Sequence, residues 1–594
     1  MRAGLAGRPD HRRDRGTGRR QPLFVRPRRC RRHRTAPRCR RGLLRGRPGA
    51  DRDRLAGGDH GRCAGRRRQL GREGMDPARL LRRVSQDYRD RIAVKCEERT
   101  LTYAELGERA SRLANALADR GLERGDRVAL LGDNCLESLE QIVGTAIGGF
   151  VRCSLHAHDA PERHRYLIEH TGAKALIIQS GHYQRMAGQL EEITGLRHVI
   201  VLGDADVAPG ASRYDDVLAA ASPEQPDVRL GDDDPHVIRF SAGTTGLPKG
   251  IVISVRATMG MGNEFAMVLP SFDEEDRYLA AGPLTHAAGM FIYPLLAAGS
   301  TTIVMPGFDP GSFLELVERE RVTTTLVVPT MIQMITDHPA AGTKDLSSLR
   351  AVMYGAAPIS ETTLVKALGL WGNIMYQLYG QSEVVPIAVL TPRHHRVDGP
   401  SDRNRLSSAG RPSPNACVRI EDENGDVLPP GQVGEIVAHA PCTMSGIWKD
   451  EAGTAARFTP DGGVRTKDMG YLSEDGFLYL ADRKEDLIIS GGFNIWPAEL
   501  ENALAAHPAV QEAAVVGVPH PKWGETPHAV VVVREGSEVT EQELIEWTRQ
   551  RVGSYKKVTA VRFADALPKT PIGKVLRREV RERFLAAADG LGRA

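Results

Sequence analysis

Apolar positions from residue 75 onward follow two alternating spacings, one typical of helices and one typical of buried strands. Spacings of three and four residues place one set on a single helical face, namely Leu106, Ala110, Leu113 and Leu117. Short apolar runs bounded by turn residues predict strands at Val128–Leu131, Ala175–Ile178, Val199–Leu202, Thr302–Met305, Thr325–Val328 and Ala351–Tyr354, and a helix is predicted over Phe313–Glu320. This alternation indicates an α/β fold in which helices cover β-sheets.

The pattern changes after a polar stretch at 393–409, which is predicted to be an exposed loop. Strands are expected at Val418–Glu421 and Glu435–Ala438, joined by glycine- and proline-containing turns. From residue 486 the spacing predicts a strand–helix–strand–strand–helix–strand unit and a final basic helix, with elements at Pro497–Ala506, Val510–Val518, Ala529–Arg534 and Glu541–Val552. We therefore predict a large N-terminal domain of helix-covered sheets, residues 75–484, and a small mobile α+β C-terminal domain, residues 485–594.

Residues 1–74 form a leader whose composition differs from the rest. It contains 25 Arg, no Lys and 6 acidic residues, a net charge of +19, so the remainder of a chain with a total charge of +5 carries −14. A nucleic-acid-binding arm is one interpretation, but Phe24 is the leader's single aromatic residue; an organelle transit peptide is another, but the leader lacks serine. We prefer a third, GC-rich DNA read through upstream of a true start at Met75. Deleting residues 1–74 would then leave activity intact.

The cysteines and the lengths of the apolar runs indicate the cellular compartment. Five cysteines lie outside the leader, an odd number, and none forms a CxxC pair: Cys96, Cys135, Cys153, Cys417 and Cys442. This argues against a disulfide framework or a zinc site and favours the reducing cytoplasm. No apolar run reaches the roughly 18 residues that a membrane-spanning helix needs, so no membrane span is expected.

The segment Ser241–Gly250 gives the first indication of chemistry. It reads Ser-Ala-Gly-Thr-Thr-Gly-Leu-Pro-Lys-Gly and follows an apolar run, Val237–Phe240, that resembles a strand. Glycines allow the backbone to curl so that N–H groups point at an anion, and the hydroxyls and lysine add further donors and charge. Such a loop suits a triphosphate, although it lacks the GxxxxGK[ST] spacing of a P-loop.

At this segment the chain resembles the adenylate-forming (AMP-binding) superfamily, and specifically its acyl- and aryl-CoA synthetase branch. The family loop usually begins Thr-Ser, where this chain has Ser241 and Ala242. Further segments resemble the family's motifs in the family's order: Pro283–Gly289, Tyr354–Pro358, Tyr379–Glu383, Thr466–Asp468, Asp482–Pro497 and Leu567–Arg578. The resemblance covers about residues 76–584, nearly the whole chain apart from the leader.

The resemblance implies a role for each matching position. Residues that bind ATP would be Ser241, Gly243, Thr244, Thr245, Gly246, Lys249, Gly355, Ala356, Ala357, Tyr379, Asp468 and Arg483. Tyr379 would lie against the adenine, and Asp468 and Arg483 would reach the ribose. Glu383, with Thr244, would bind Mg²⁺, for which carboxylate oxygen is a suitable ligand.

The same resemblance implies catalytic, pocket and hinge residues. Lys574 would neutralise charge while the carboxylate approaches the α-phosphate, and Ser382 would offer a hydroxyl to the phosphate or carboxylate. The acyl pocket would include His286, Ala287, Gly289 and Tyr293, with His286 lining it and not acting as a base. The C-terminal domain would rotate about Glu485. Lys467 replaces the family's glycine and is interpreted as a surface lysine.

The implied function is an ATP-dependent carboxylic acid:CoA ligase that works through an acyl-adenylate, with ATP, Mg²⁺ and coenzyme A. No Asp or Glu lies between Leu284 and Thr302 to pair an amine, which disfavours a free amino acid as substrate. We favour an aromatic acid, because Tyr293 and Tyr354 could sandwich a ring. The alternatives are a medium- or long-chain fatty acyl-CoA ligase, a ligase that loads a carrier protein, and a nucleic-acid-binding protein that uses the leader. A nucleic-acid partner is not expected, and the sequence leaves a homodimer open.

Overall fold

The computed structural model describes residues 76–241, 248–397, 399, 405–483, 486–490, 493–554, 556–569 and 575–583, without the side chains of 482, 483, 493 and 494. All of these residues belong to one compact unit, Leu70–Ala594. They form a large N-terminal domain with several sheets and a small C-terminal domain, the α/β fold predicted from the sequence.

The helices begin where the sequence supplies caps and present apolar faces inward. In Tyr103–Asp119, Thr102 and Glu105 form a reciprocal capping box, and Leu106, Ala110, Leu113 and Leu117 are all buried. The described α-helices are α1 Pro77–Asp87, α2 Tyr103–Asp119, α3 Glu137–Ile147, α4 Pro161–Thr171, α5 Ser180–Leu190, α6 Tyr214–Ala220, α7 Val255–Val268, α8 Ile292–Ala297, α9 Pro310–Glu320, α10 Pro329–Asp337, α11 Glu361–Trp371, α12 Glu451–Arg457, α13 Pro497–Ala505 and α14 Glu541–Val552.

The strands coincide with the short apolar runs. In chain order they are β1 Ile92–Cys96, β2 Arg99–Thr102, β3 Arg127–Leu131, β4 Val151–Ser154, β5 Ala175–Gln179, β6 His198–Leu202, β7 Ala211–Arg213, β8 Pro235–Ser241, β9 Lys249–Ser254, β10 Arg277–Ala280, β11 Thr301–Val304, β12 Thr324–Val327, β13 Ala351–Gly355, β14 Met375–Gln381, β15 Val384–Leu390, β16 Arg411–Pro412, β17 Cys417–Glu421, β18 Gly434–His439, β19 Gly446–Ile447, β20 Val464–Leu472, β21 Leu478–Arg483, β22 Ile488–Ser490, β23 Phe493–Ile495, β24 Val510–His520, β25 Gly524–Val533 and β26 Ala560–Phe563.

Two large sheets make up most of the N-terminal domain. The nine-stranded sheet has the order β16-β15-β14-β13-β12-β10-β11-β1-β2, with parallel pairing from β14 to β1. The eight-stranded sheet has the order β19-β9-β8-β4-β3-β5-β6-β7, with parallel pairing from β8 to β7. Ligands in open parallel sheets bind beyond the carboxyl ends of the strands, so a ligand site is expected at the ends of β8, β13 and β14.

Two smaller sheets complete the fold. Strands β17, β18, β20 and β21 form a four-stranded antiparallel sheet. The C-terminal domain contains β23-β22-β25-β24, with β26 added parallel to β25. Its helices α13 and α14 bury Leu500, Leu504 and Leu544 against this sheet.

The elements predicted from apolar spacing are confirmed, with ends that differ by a few residues. The largest difference is β25, which begins at Gly524 and not at Ala529. The residues between them include Glu525, Thr526 and His528, which lack strand periodicity, but they pair with β24 through to Gly524↔His520. Pairing with an existing strand therefore extends β25 beyond its apolar segment. No helix among the described residues is long and apolar enough to cross a membrane.

Candidate active site

The two residues that flank the glycine-rich loop are held in register by strand pairing. Ser241 ends β8, Lys249 begins β9, and the two are direct partners in the antiparallel pair. Residues 242–247 lie outside the described residues, so the predicted contacts of Gly243, Thr244, Thr245 and Gly246 stay predictions. Lys249 Nζ lies 3.0 Å from Asp450 Oδ2. Hydrogen bonds from the Gly453 N–H and from Lys249 lower the pKa of Asp450, so this carboxyl group is ionised at pH 7.

Helix α12 connects the loop to the carboxylate predicted to bind magnesium. Asp450, which holds Lys249, is also the N-cap of α12, since its side chain accepts a hydrogen bond from the Gly453 N–H at 2.7 Å. Arg457, the last residue of α12, forms an ion pair with Glu383, and both side chains are about nine-tenths buried. A helix of seven residues thus positions a cation at the loop and a carboxylate at the end of β14.

A chain of hydrogen bonds extends from Glu383 to the predicted ribose site. Arg457 donates to Gln381 Oε1 at 3.3 Å, and Gln381 Nε2 donates to Asp468 Oδ2 at 2.6 Å. The Tyr379 hydroxyl donates to the same Asp468 oxygen at 2.8 Å. The network therefore joins four side chains that the motifs identified or bordered, together with Arg457, which no motif indicated.

Asp468 and Arg483 are direct partners across β20 and β21, which agrees with a shared role at the ribose. The side chain of Arg483 lies outside the described residues. Lys467, beside Asp468, is exposed and has a φ of 63°, in the left-handed region that favours glycine. The backbone conformation explains why the family places glycine here, and it is the backbone, more than the surface charge, that makes Lys467 unusual.

We expect Lys467→Gly to stabilise the protein. A non-glycine residue in the left-handed region costs about 1–2 kcal/mol, and glycine loses roughly 0.5–1 kcal/mol through greater freedom in the unfolded chain. The free energy of unfolding should therefore rise by about 0.5–1 kcal/mol, as measured by urea denaturation. Lys467→Ala, which keeps the strained conformation, is the control and should give no gain. An equal gain from both substitutions would contradict the backbone explanation.

The residues expected to border the adenine lie at the carboxyl end of β13. A Cβ atom at Gly355 would come within 2.2 Å of the Leu378 carbonyl oxygen, so β13 and β14 can approach only because this residue is glycine. Ala356 is exposed with a φ of 68°, and Ala357 is half-buried. Ser382 lies with Glu383 in the tight turn between β14 and β15, half-buried and next to the hydrogen-bonded network.

Tyr354, next to Gly355 in β13, is fully buried. Its hydroxyl lies 2.9 Å from His395 Nε2, and His395 Nδ1 lies 3.0 Å from the Thr391 carbonyl oxygen. Because a carbonyl only accepts, Nδ1 carries the proton and the tyrosine donates to Nε2. The prediction that 393–409 is exposed is wrong for His395, which is 3% exposed. It is also wrong for three further buried residues, Leu406, Ser408 and Ala409. Both ring nitrogens of His395 have hydrogen-bond partners, which allows it to be buried. The sequence pattern did not reveal these partners.

Burial lowers the pKa of His395 to about 4, which predicts a pH-dependent stability. The unfolded histidine, with a pKa near 6.5, binds a proton that the folded one does not, so stability falls as the pH drops from about 6.5 toward 4. Between pH 7 and pH 5 the wild type should lose about 2 kcal/mol more unfolding free energy than His395→Gln. Urea denaturation at the two pH values measures this, and equal losses in both proteins would contradict it.

The predicted acyl-pocket residues adjoin the 3-10 helix Ala287–Phe291. A Cβ atom at Gly289 would lie 2.0 Å from the Leu284 carbonyl oxygen, so only glycine fits there. His286 is half-buried, and burial, with His156 and Arg239 nearby, lowers its pKa to about 4. Its neutral ring at pH 7 is compatible with the lining role. Ala287 is also half-buried.

Tyr293 lies deeper than the pocket prediction assumed. It is 5% exposed, and its hydroxyl lies 2.7 Å from His236 Nε2. Tyr354 is fully buried as well. Both rings are thus packed against other side chains of the protein and leave little exposed surface for an aromatic substrate.

Lys574 and Glu485 lie outside the described residues, but the segments on either side of Lys574 are defined. A bridge between Lys569 and Val575 closes the loop that contains it. Arg577 lies beyond this bridge and donates to Asp486 Oδ2 at 3.0 Å and to Glu501 Oε2 at 2.7 Å. The base of the lysine loop is therefore tied to the residue that follows the predicted hinge.

The residues present fit a magnesium ion that arrives with ATP. Magnesium binds through one or two carboxylates and the phosphates of its nucleotide, and it retains several waters. Glu383 would supply one such carboxylate. In the described parts of the chain, no three His, Cys, Asp or Glu side chains are grouped to hold a metal without a nucleotide.

Comparison with known proteins identifies the family. Residues 81–448 match the AMP-binding enzyme family, and residues 499–574 match the AMP-binding enzyme C-terminal domain. The chain is 37% identical to a feruloyl-CoA synthase of Amycolatopsis sp over 83% of its length and 96% of that protein. It is 34% identical to the medium/long-chain-fatty-acid–CoA ligase FadD8 of Mycobacterium tuberculosis, over 83% of its length and 87% of that protein. The solved structure of the amide bond synthetase McbA from Marinactinospora thermotolerans matches with a TM-score of 0.78 and 31% identity, over 86% of this chain and 100% of that one.

The fold and the arrangement of the nucleotide-site residues thus define an adenylate-forming enzyme. The chain belongs to the AMP-binding enzyme family and, within it, to the AMP-forming acyl-CoA ligase group. ATP is the nucleotide of this adenylate-forming family.

Proposed function

We propose that this enzyme activates an aromatic carboxylic acid as its acyl-adenylate and transfers the acyl group to the thiol of coenzyme A. The observation that carries the proposal is the network from Glu383 through Arg457 and Gln381 to Asp468 and Tyr379. It places a carboxylate suited to a magnesium ion at one end and a carboxylate and a phenol suited to a nucleoside at the other.

The chain's own residues would bind and orient the reactants. Lys249 would add positive charge at the phosphate loop, and its pairing with Asp450 holds the ammonium group in place. Asp468 would accept hydrogen bonds from the ribose hydroxyls, and the ion pair with Arg457 fixes the position of the Glu383 carboxylate that would face the metal. Bound magnesium would neutralise phosphate charge. Lys574 would then stabilise the charge that builds up as carboxylate and α-phosphate meet.

The aromatic assignment rests on the relatives more than on the pocket. A feruloyl-CoA synthase at 37% identity supports it, whereas the packed positions of Tyr293 and Tyr354 remove the ground that the sequence offered. A fatty acid is the second candidate, supported by the 34% identity to FadD8. The acceptor is also a proposal, since McbA has the same fold and is an amide bond synthetase. The cytoplasm stays the predicted compartment.

The test is pyrophosphate release by the full chain with a panel of benzoic, hydroxybenzoic, cinnamic, short-chain and long-chain acids, each with and without CoA. Multiple turnovers on the aromatic acids that require CoA are the expected result. Preference for long-chain acids would overturn the aromatic assignment. Release of one equivalent regardless of CoA would overturn CoA as acceptor and direct attention to a carrier protein.

A further inference from the structure

Two arginines on neighbouring strands of the eight-stranded sheet have no carboxylate partner among the described residues. Arg152 lies in β4 and is 9% exposed, and its Nε and Nη1 atoms have no hydrogen-bond partner in the described parts of the chain. Arg239 lies in β8 and is half-buried; its guanidinium contacts the sulfur atoms of Met290 at 3.8 Å and Met261 at 3.7 Å. Thioether sulfur is a weak acceptor and does not compensate a buried cation.

The register of the strands brings both arginines to one face. Arg152 is the parallel partner of Val237, and residues two apart on a strand share a face, so Arg239 projects on the same side as Arg152. Met261 belongs to α7, and Met290 belongs to the 3-10 helix that follows His286. This face is therefore the one next to the predicted acyl pocket.

The nearby titratable groups do not neutralise this charge. His236 is buried beside Tyr293, and burial, with Arg152 and Arg239, lowers its pKa to about 3, so it stays neutral. Burial and the neighbouring Arg152 also lower the pKa of Arg239 to about 10, which still leaves it protonated at pH 7. Both guanidinium groups are charged and close enough to repel, and the described residues around them supply no anion.

Other partly buried arginines among the described residues form ion pairs with carboxylates. Arg109 contacts Glu140, Arg350 contacts Asp276, and Arg457 contacts Glu383. Leaving a buried charge without its partner is strongly unfavourable. Arg152 is buried and Arg239 is half-buried, and neither has a carboxylate partner among the described residues. The two guanidinium groups together therefore indicate a site whose negative charge comes from a ligand.

We propose that the acid activated here has a second anionic group, a carboxylate, which Arg239 and Arg152 bind at the inner end of the acyl pocket. The inference rests on the proposed function and narrows its substrate class. Arg239 lies two residues before Ser241, and Val237, the strand partner of Arg152, lies four residues before it. At about 3.3 Å per residue, the second carboxylate would lie on the order of 7–13 Å from the start of the phosphate loop. Arginine suits this role since its planar donors can bind a carboxylate in a bidentate manner.

The experiment uses matched pairs of substrates with the full-length enzyme. Each pair is an aromatic dicarboxylic acid with its carboxylates on opposite sides of the ring, and the monomethyl ester of the same acid. Pyrophosphate release gives kcat/KM for both members. We expect the diacid to be preferred by roughly tenfold or more, since hydrogen bonds to a charged group are the strong ones. A wild-type preference for the esters would overturn the proposal.

Variants separate the second carboxylate from the reacting one. Arg239→Leu and Arg152→Leu should each bring the ratio of diacid to ester close to one. Arg127→Leu is the matched control, because Arg127 lies in the adjacent β3 but donates to the carbonyls of Thr171 and Gly172; its ratio should equal that of the wild type. Equal losses on diacid and ester in Arg239→Leu would mean that Arg239 contacts the reacting carboxylate, or only supports the fold, and would overturn the proposal.

Calorimetry without ATP gives a readout that is independent of turnover. Binding of the diacid, but not of its ester, by an enzyme that releases no pyrophosphate would support the anion site while contradicting the proposed ligase activity. Turnover of esters with no binding of any diacid would support the ligase and overturn the second carboxylate.

Discussion

Replacing Lys574 by alanine should lower the rate of adenylate formation by about 10²–10³-fold or more, with little change in the KM for ATP. Two anions approach each other in this step, the carboxylate and the α-phosphate, and a fixed cation stabilises the charge most strongly in the transition state. An interaction made only there lowers kcat and not ground-state binding. Single-turnover pyrophosphate release measures the effect.

Lys569→Ala is the matched control. Lys569 lies across the bridge that closes the same loop, and its Nζ pairs with Glu512 Oε1 at 2.5 Å. The substitution removes a lysine of the same segment without touching the predicted reacting atoms, so activity should stay within a few-fold of the wild type. A raised KM at unchanged kcat for Lys574→Ala would assign that lysine to binding and contradict the catalytic role.

Replacing Arg457 by leucine should have the second large effect, on both stability and activity. The substitution leaves the Glu383 carboxylate buried without its partner, and breaking a buried ion pair from one side costs about 3–5 kcal/mol. It also removes the donor to Gln381, which orients the network toward Asp468. Urea denaturation and pyrophosphate release measure the two losses.

The double variant Arg457→Leu with Glu383→Gln separates structure from chemistry. Without a buried charge it should recover most of the lost stability, because replacing both partners removes the desolvation cost. It should stay inactive, since the amide is a poor ligand for magnesium. Recovery of activity along with stability would show that Glu383 acts through the fold alone.

Much of the candidate nucleotide site could be assembled from the sequence, because its residues lie at strand ends and in short motifs. Tyr379 and Gln381 lie at the end of β14, and Glu383 lies in the turn that follows, so their closeness in the sequence already brings them close in space. Asp468 could be assigned by resemblance, and its hydrogen bond with Tyr379 brings the two side chains together. The spacing of apolar residues that predicts each helix and strand is also a local property of the sequence. The α/β fold class could therefore be predicted from it.

The residues that sequence reasoning missed act over long separations. Asp450 and Arg457 lie in no motif, and their partners Lys249 and Glu383 are 201 and 74 residues away. Arg239 stands in an apolar run, where a charged residue was a visible signal in the sequence. Arg152 gave the same signal, but its proximity to Arg239 depends on the pairing of β4 with β8, which no local pattern encodes.

Helix α12 therefore acts as a spacer whose length matters more than its composition. Its N-cap residue and its last residue are each engaged, one with Lys249 and the other with Glu383. The side chains between them that face solvent are those of Glu451, Ala452, Ala455 and Ala456. A helix turns about 100° per residue, so one inserted or deleted residue would swing Arg457 away from Glu383 while Asp450 stayed in place. Among related enzymes that keep both contacts, this segment should vary freely in its exposed side chains and keep a constant number of residues.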